Sequence, residues 1–211
     1  MPILVERIVV GAFAANCYVV AEAEGQKAAV IDPGGDPEAI AAVIERHGLT
    51  VDVILNTHGH ADHIAANGEL ARLWRAPIAI HRFDAPMLTN PNLNLSAIFG
   101  VGLVSPMASR LLEDGDVINI GSLGFRVSHT PGHTPGGVCF VVGETVFSGD
   151  TLFAGSIGRT DFPRGSMTDL LSAITEKLLT LPDRAVVHPG HGPETTIGEE
   201  KRYNPFLALP E

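Results

Sequence analysis

Cysteine is scarce: Cys17 and Cys139 are the only two in 211 residues. Both sit inside apolar stretches, Asn16 to Val20 and Val138 to Val142. They are expected as buried core thiols, and a disulfide framework is not what holds this chain together. Long apolar runs are missing too. None approaches the roughly 20 residues that a membrane helix needs. The start, Met1-Pro2-Ile3-Leu4-Val5-Glu6-Arg7, lacks the basic-then-apolar order of a secretory signal, so the cytoplasm is the expected location. Positive charge is in short supply as well: Lys+Arg number 14 against 24 Asp+Glu, a formal charge of −10. Such a surface repels nucleic-acid backbones and anionic bilayers, which excludes both as expected partners and disfavours a nuclease. A small substrate held by one or two local cations remains compatible.

What the chain does have is 45% hydrophobic residues, 23 Gly and 15 Pro. This suits a compact, loop-rich enzyme, with one domain expected over 1–211. Residues 3–10, 17–22 and 27–31 read as strands. Asp36-Pro37-Glu38 opens a helix to about His47, stopped by Gly48. Val51 to Leu55 reads as a strand, a helix is expected from Ile64 to Trp74, and Pro77 to Ile80 as a further strand. From Arg82 to Arg110 the pattern weakens; 89–110 is expected as a lid or as a helical excursion packed on the core. Strands near 117–120, 124–129, 138–142 and 145–148 follow. A helix from Met167 to Leu179, a strand from Ala185 to His188 and a helical stretch near Glu199 to Asn204 complete the series. The order suggests two sheets in a layered α/β sandwich with helices outside.

The chemistry is concentrated in Thr57-His58-Gly59-His60-Ala61-Asp62-His63. His58 and His60 are two apart, so at a strand end they face one side. Asp62 and His63 begin the next turn and can face a neighbouring position, so one short loop can serve two metals. Gly59 and Ala61 let the backbone wrap closely. Three further polar residues follow apolar strands on Gly-supported turns: His133 in Thr130-Pro131-Gly132-His133-Thr134-Pro135, Asp150 in Ser148-Gly149-Asp150, and His191 in His188-Pro189-Gly190-His191-Gly192. Imidazole and carboxylate without thiolate suit two divalent ions, Zn²⁺ first, with Fe or Mn also accommodated. Of the other histidines, His47 is expected to be solvated and His81 to end a strand. His129 and His188 flank ligand turns.

These motifs resemble the metallo-β-lactamase superfamily over nearly the whole chain, and within it the small glyoxalase II-like hydrolases. The resemblance implies an αββα sandwich. It implies that His58, His60 and His133 bind one metal, that Asp62, His63 and His191 bind a second, and that Asp150 bridges them. Asp62 and Asp150 are thus the candidate catalytic carboxylates. It also implies that Asp32, in Val30-Ile31-Asp32-Pro33-Gly34, orients a ligand histidine, beside its local reading as an Asx-type turn. Arg159, in Gly158-Arg159-Thr160-Asp161-Phe162, is the implied contact for a substrate carboxylate, with an ion pair to Asp161 as the competing reading.

A metal pair can acidify a shared water and polarise a carbonyl. The sequence offers no obvious general acid outside the ligands, which favours a thiolate leaving group, of pKa about 8.5, over an amine. The resemblance points the same way, to hydrolysis of S-lactoylglutathione-like thioesters. It departs from full-length glyoxalase II in one respect: only residues 192–211 follow His191, where those enzymes carry a helical region that helps bind glutathione. The rivals are a mononuclear iron persulfide dioxygenase using His58, His133 and Asp150, a lactonase on the same metals, and a scaffold without activity. A β-lactamase is disfavoured, because typical ones use a cysteine ligand and lack the Asp62-His63 pair.

Overall fold

The structure, a computed structural model, describes residues 2–207; residues 1 and 208–211 of the expected domain lie outside the described residues. Its first sheet takes strands in sequence order: β1 (Ile3–Val10), β2 (Ala15–Glu22), β3 (Lys27–Ile31), β4 (Thr50–Leu55), β5 (Ile78–His81) and β6 (Arg110–Leu112). The second pairs β7 (Val117–Ile120), β8 (Leu123–His129), β9 (Val138–Val142), β10 (Thr145–Gly149), β13 (Val186–Pro189) and β14 (Thr195–Thr196). Between β10 and β13 lies a small hairpin of β11 (Leu152–Phe153) and β12 (Ser156–Ile157). Both large sheets change from antiparallel to parallel pairing part-way across, at β3/β4 and at β10/β13.

Three apolar clusters make the four layers. Strand residues alternate faces, so Tyr18, Val20, Ile31, Val53 and Leu55 from one sheet meet Phe125, Val127, Phe140 and Phe147 from the other. Their neighbours Val19, Val30 and Ile54 face outward onto α1 (Pro37–Arg46) and α3 (Asn67–Trp74), which supply Ile40, Val43, Ile44 and Leu70. On the far side Cys139, Val141, Val146 and Val187 pack against Leu170 of α5 (Met167–Ala173), Ile174 and Leu178 of the turn after it, and Ile197 of α6 (Ile197–Tyr203). The expected αββα sandwich is therefore observed. Both cysteines are buried and free, as expected. Among the described residues no helix is long and apolar enough to cross a membrane.

Asp36-Pro37-Glu38 does open α1, and Asp36, with a left-handed backbone (φ 46°), accepts from the Gly11 amide at 2.8 Å. Several local expectations are corrected. The single helix expected after the histidine cluster is two, α2 (Ala61–Ile64) and α3. The helix expected over 167–179 is α-helical only through α5 (Met167–Ala173) and widens into a π-turn over Ile174–Leu178. His47 is not simply solvated: its ring nitrogen lies 2.7 Å from Glu6. Segment 89–110 follows α4 (Ala85–Leu88), forms a 3-10 turn over Ser96–Phe99 and returns as β6, an edge strand too short to read in advance.

Candidate metal centre

Every candidate ligand sits just past the end of a buried strand or at the start of the turn that follows. His58 and His60 follow β4, Asp62 and His63 form α2, His133 lies in the β8–β9 loop, Asp150 follows β10 and His191 follows β13. The seven converge. Ligand atoms of His58, His60 and His133 lie within 4.8 Å of one another, as do those of Asp62, His63 and His191. Asp150 stands between the groups, with Oδ2 3.6 Å from His133 Nε2 and 3.8 Å from His191 Nε2, and Oδ1 3.5 Å from His63 Nε2. A third cluster, Asp32, His58 and His63, is already occupied by hydrogen bonds among its own members and Thr57.

Those bonds prepare the histidines. Asp32 accepts from the Thr57 amide (2.7 Å), the Thr57 hydroxyl (2.5 Å) and His63 Nδ1 (3.0 Å). With one proton held on Nδ1 by Asp32, His63 turns Nε2 toward the centre, where a bound ion would take the place of its second proton. The Thr57 hydroxyl, having donated to Asp32, accepts from His58 Nδ1 at 3.1 Å, which leaves His58 Nε2 free. His133 Nδ1 donates to the Arg159 carbonyl at 2.8 Å, and its Nε2 faces His60 Nδ1 at 3.0 Å. Asp32 thus touches a candidate ligand histidine, and its carboxylate reaches across to the end of β4.

Electrostatics separate the rings. Burial first, then the neighbouring His63, holds His58 well below the ordinary imidazole range, and burial with His133 takes His60 down to about 3. For His63 burial acts downward too, but Asp150, Asp62 and Asp32 outweigh it and raise it to about 10. Asp62, which burial would raise, is held low by His63 and His191. The donor set fits a metal pair on a direct observation. His58 Nε2, His63 Nε2 and Asp150 Oδ1 are buried with no hydrogen-bond partner, a costly state for polar atoms unless an ion is their partner. The backbone is cut to fit: a Cβ on Gly190 would overlap Asp150 Oδ1 and His63 Cε1.

Sequence reasoning missed the residues that hold these loops. Asp84, fully buried before α4, accepts from the Gly59 amide (3.1 Å), the Thr134 hydroxyl (2.6 Å) and the Gly136 amide (2.7 Å). It ties the His58–His60 loop to the His133 loop. Its one sequence signal was its place after a strand, shared with Asp150. Asn16 and Tyr18 of β2 hold the His191 loop, with Asn16 Nδ2 at 2.9 Å and Tyr18 OH at 2.7 Å from the Pro189 carbonyl. His81 and His129 stack on each other, rings 4.1 Å apart, and His188 stacks on Phe147 at 5.3 Å; none joins the centre. Arg159 does line the site, but it forms a two-bond pair with Asp161, each 2.7 Å, and lies 4.0 Å over the Phe162 ring.

Above the centre opens a pocket of about 440 Å³, the size of a small-molecule site. Its walls carry Phe13, Leu95, Phe99, Phe153, Ile157 and Phe162, and Asn94, Leu95 and Phe99 come from segment 89–110. That segment is therefore a wall of the pocket, as a lid would be.

The chain is similar to known proteins of one superfamily. The sequence model of the metallo-beta-lactamase superfamily matches residues 10–191. A Haemophilus influenzae protein named hydroxyacylglutathione hydrolase GloC is 40% identical, over 96% of this chain and 97% of its own. Among solved structures, BLEG-1 B3 metallo-beta-lactamase superposes with a TM-score of 0.94 at 40% identity, covering 98% of this chain and 100% of that one. TTHA1623 in a di-iron-bound form gives 0.85 at 39% identity, with 96% and 100% covered.

Proposed function

The chain belongs to the metallo-beta-lactamase superfamily of metallo-hydrolases, and on that premise we propose that it is a dinuclear thioester hydrolase acting on small acyl-glutathione-like substrates such as S-lactoylglutathione. One observation carries the reading: two three-residue ligand groups flank Asp150 at the floor of a pocket whose other described lining residues include no carboxyl, histidine, lysine, tyrosine or cysteine to act as a general acid. In this proposal one domain spanning 1–211 carries the whole site. His58, His60 and His133 hold one ion, Asp62, His63 and His191 the other, and Asp150 reaches both. Bound there, the ions supply Lewis acidity toward the thioester carbonyl and acidify a water. Imidazole and carboxylate donors admit Zn, Fe or Mn, and the di-iron form of TTHA1623 makes iron as natural a candidate as zinc.

The protein's own residues then decide which bond is cleaved. Asp150 and Asp62 present carboxylate oxygens to the reacting face, and Asp32 keeps the His63 Nε2 lone pair aimed there. Outside the seven ligands, the described residues lining the pocket include no carboxyl, histidine, lysine, tyrosine or cysteine. A leaving amine would need a proton from such a group; a thiolate leaves without one. The name of the Haemophilus influenzae relative supports the same substrate class.

Metal analysis and loss of S-lactoylglutathione thioester absorbance, measured on one purified sample, test the proposal. Two ions per chain with turnover are expected. A single iron with oxygen uptake on glutathione persulfide, and no thioester loss, would move the chain to the dioxygenase reading. A second reading, β-lactam hydrolysis, is favoured by the likeness to BLEG-1 against the expectation from sequence. A chromogenic cephalosporin in the same assay decides between them, and an aryl lactone covers the lactonase.

A further inference from the structure

The pocket over the metal centre is walled by four phenylalanines with Leu95 and Ile157, beside Asn94 and Ser156, and its one arginine is paired with Asp161. Phe162 packs edge-on against His60 (centroids 5.5 Å) and Phe153 against His191 (6.4 Å), so each ligand group has a phenyl ring beside it. Across the mouth, Phe13 from the β1–β2 turn meets Phe99 from the Ser96–Phe99 turn, rings 5.0 Å apart. These two rings are 52% and 60% exposed. Large apolar side chains held together in solvent, directly over a reactive centre, are the mark of a surface that a ligand covers. Apart from the ligand histidines, Arg159 is the only basic side chain among the described residues lining the pocket, and its Nε and Nη2 donate to Asp161.

From this arrangement we infer that the site selects thioesters bearing an uncharged, apolar arm, which lies between Phe153 and Phe162 and is closed over by the Phe13–Phe99 pair. The inference rests on the thioesterase reading and refines it. A charged arm would lose hydration against phenyl rings, whereas each methylene buried there strengthens binding by about four-fold. A glutathione carrier fits with its charged peptide outside the mouth, in solvent. Phe13 and Phe99 act as specificity residues; the ligand set alone would treat short and long arms alike.

Two series on the metal-loaded protein test it. S-acylglutathiones from acetyl to hexanoyl vary the acyl arm and are read as kcat/KM. S-alkylglutathiones from methyl to hexyl cannot be hydrolysed, carry their chain where the acyl group sits, and are read as Kd by calorimetry. At least a ten-fold gain from the shortest to the longest arm is expected in at least one series, the alkyl series reporting binding alone. In Phe99→Ala and Phe13→Ala that ratio should fall toward one, and Phe99→Leu should restore much of it; both side chains are exposed, so these variants fold. A flat response in both series overturns the inference, even if every thioester is turned over. Tightening along the alkyl series without turnover of any thioester sinks the thioesterase reading and leaves the apolar pocket standing.

Discussion

The Asp32 carboxylate lies 3.0 Å from His63 Nδ1, and the opposite nitrogen of that ring faces Asp62 at 3.6 Å and Asp150 at 3.5 Å. One imidazole therefore passes the influence of a strand-end aspartate into the metal centre. In Asp32→Asn the amide N–H would donate to Nδ1, forcing the ring proton onto Nε2, the atom meant for the ion. A loss of about 10- to 100-fold in affinity for one ion of the pair is expected. Competitive chelator titration reads it, and unchanged stoichiometry and affinity would refute the orienting role.

Asp84 is a different case, because it touches no candidate ligand side chain. Burial raises its pKa, against the pull of its hydrogen bonds from Thr134, Gly136 and Gly59. Asp84→Ala would strand these three donors in the interior. A stability loss on the order of 2–4 kcal/mol is expected from urea unfolding. Metal affinity should weaken with it, since two ligand loops lose their common tie.

Arg159 separates two roles. If it releases Asp161 to grip a substrate carboxylate, Arg159→Ala should raise KM for S-lactoylglutathione several-fold while kcat changes little. Identical kinetics would leave it as the partner of Asp161 and Phe162 alone.

His81 gives a pH signature away from the metals. Burial first, then His129 and Arg82, lowers its pKa to about 4, against about 6.5 in an unfolded chain. Between those values the unfolded state binds the extra proton, so stability is complete above about pH 6.5 and falls as pH drops toward 4. His81→Phe keeps the stack on His129 and removes the titration. Its urea midpoint should fall less than the wild type's between about pH 7.5 and pH 5. An equal fall in both proteins would show that His81 is not a source of acid sensitivity.

Much of this site is legible in one dimension because its ligands are grouped by the chain itself. His58, His60, Asp62 and His63 share one loop, and their spacing already divides them between two positions. His133, Asp150 and His191 each follow an apolar strand on a Gly-bearing turn, a local pattern that needs no tertiary knowledge. The two-sheet sandwich is readable for the same reason, since the apolar runs of β2 and β3, buried on both faces, and the period-two burial of β7 and β8 are written in consecutive residues.

Other features depend on residues far apart in sequence. Asp84 meets Gly136 across 52 positions and Asn16 meets Pro189 across 173. No local spacing announces such pairs. The same is true of Phe13 beside Phe99, two phenylalanines that read separately as loop residues and together close a pocket. The sequence by itself determined the ligand types, their order and the alternating strands, because these follow from neighbours along the chain. Tertiary structure alone decided which lone pairs point inward, what Arg159 is bound to and what lines the pocket, because directional hydrogen bonds and ring contacts form only once distant segments share one space.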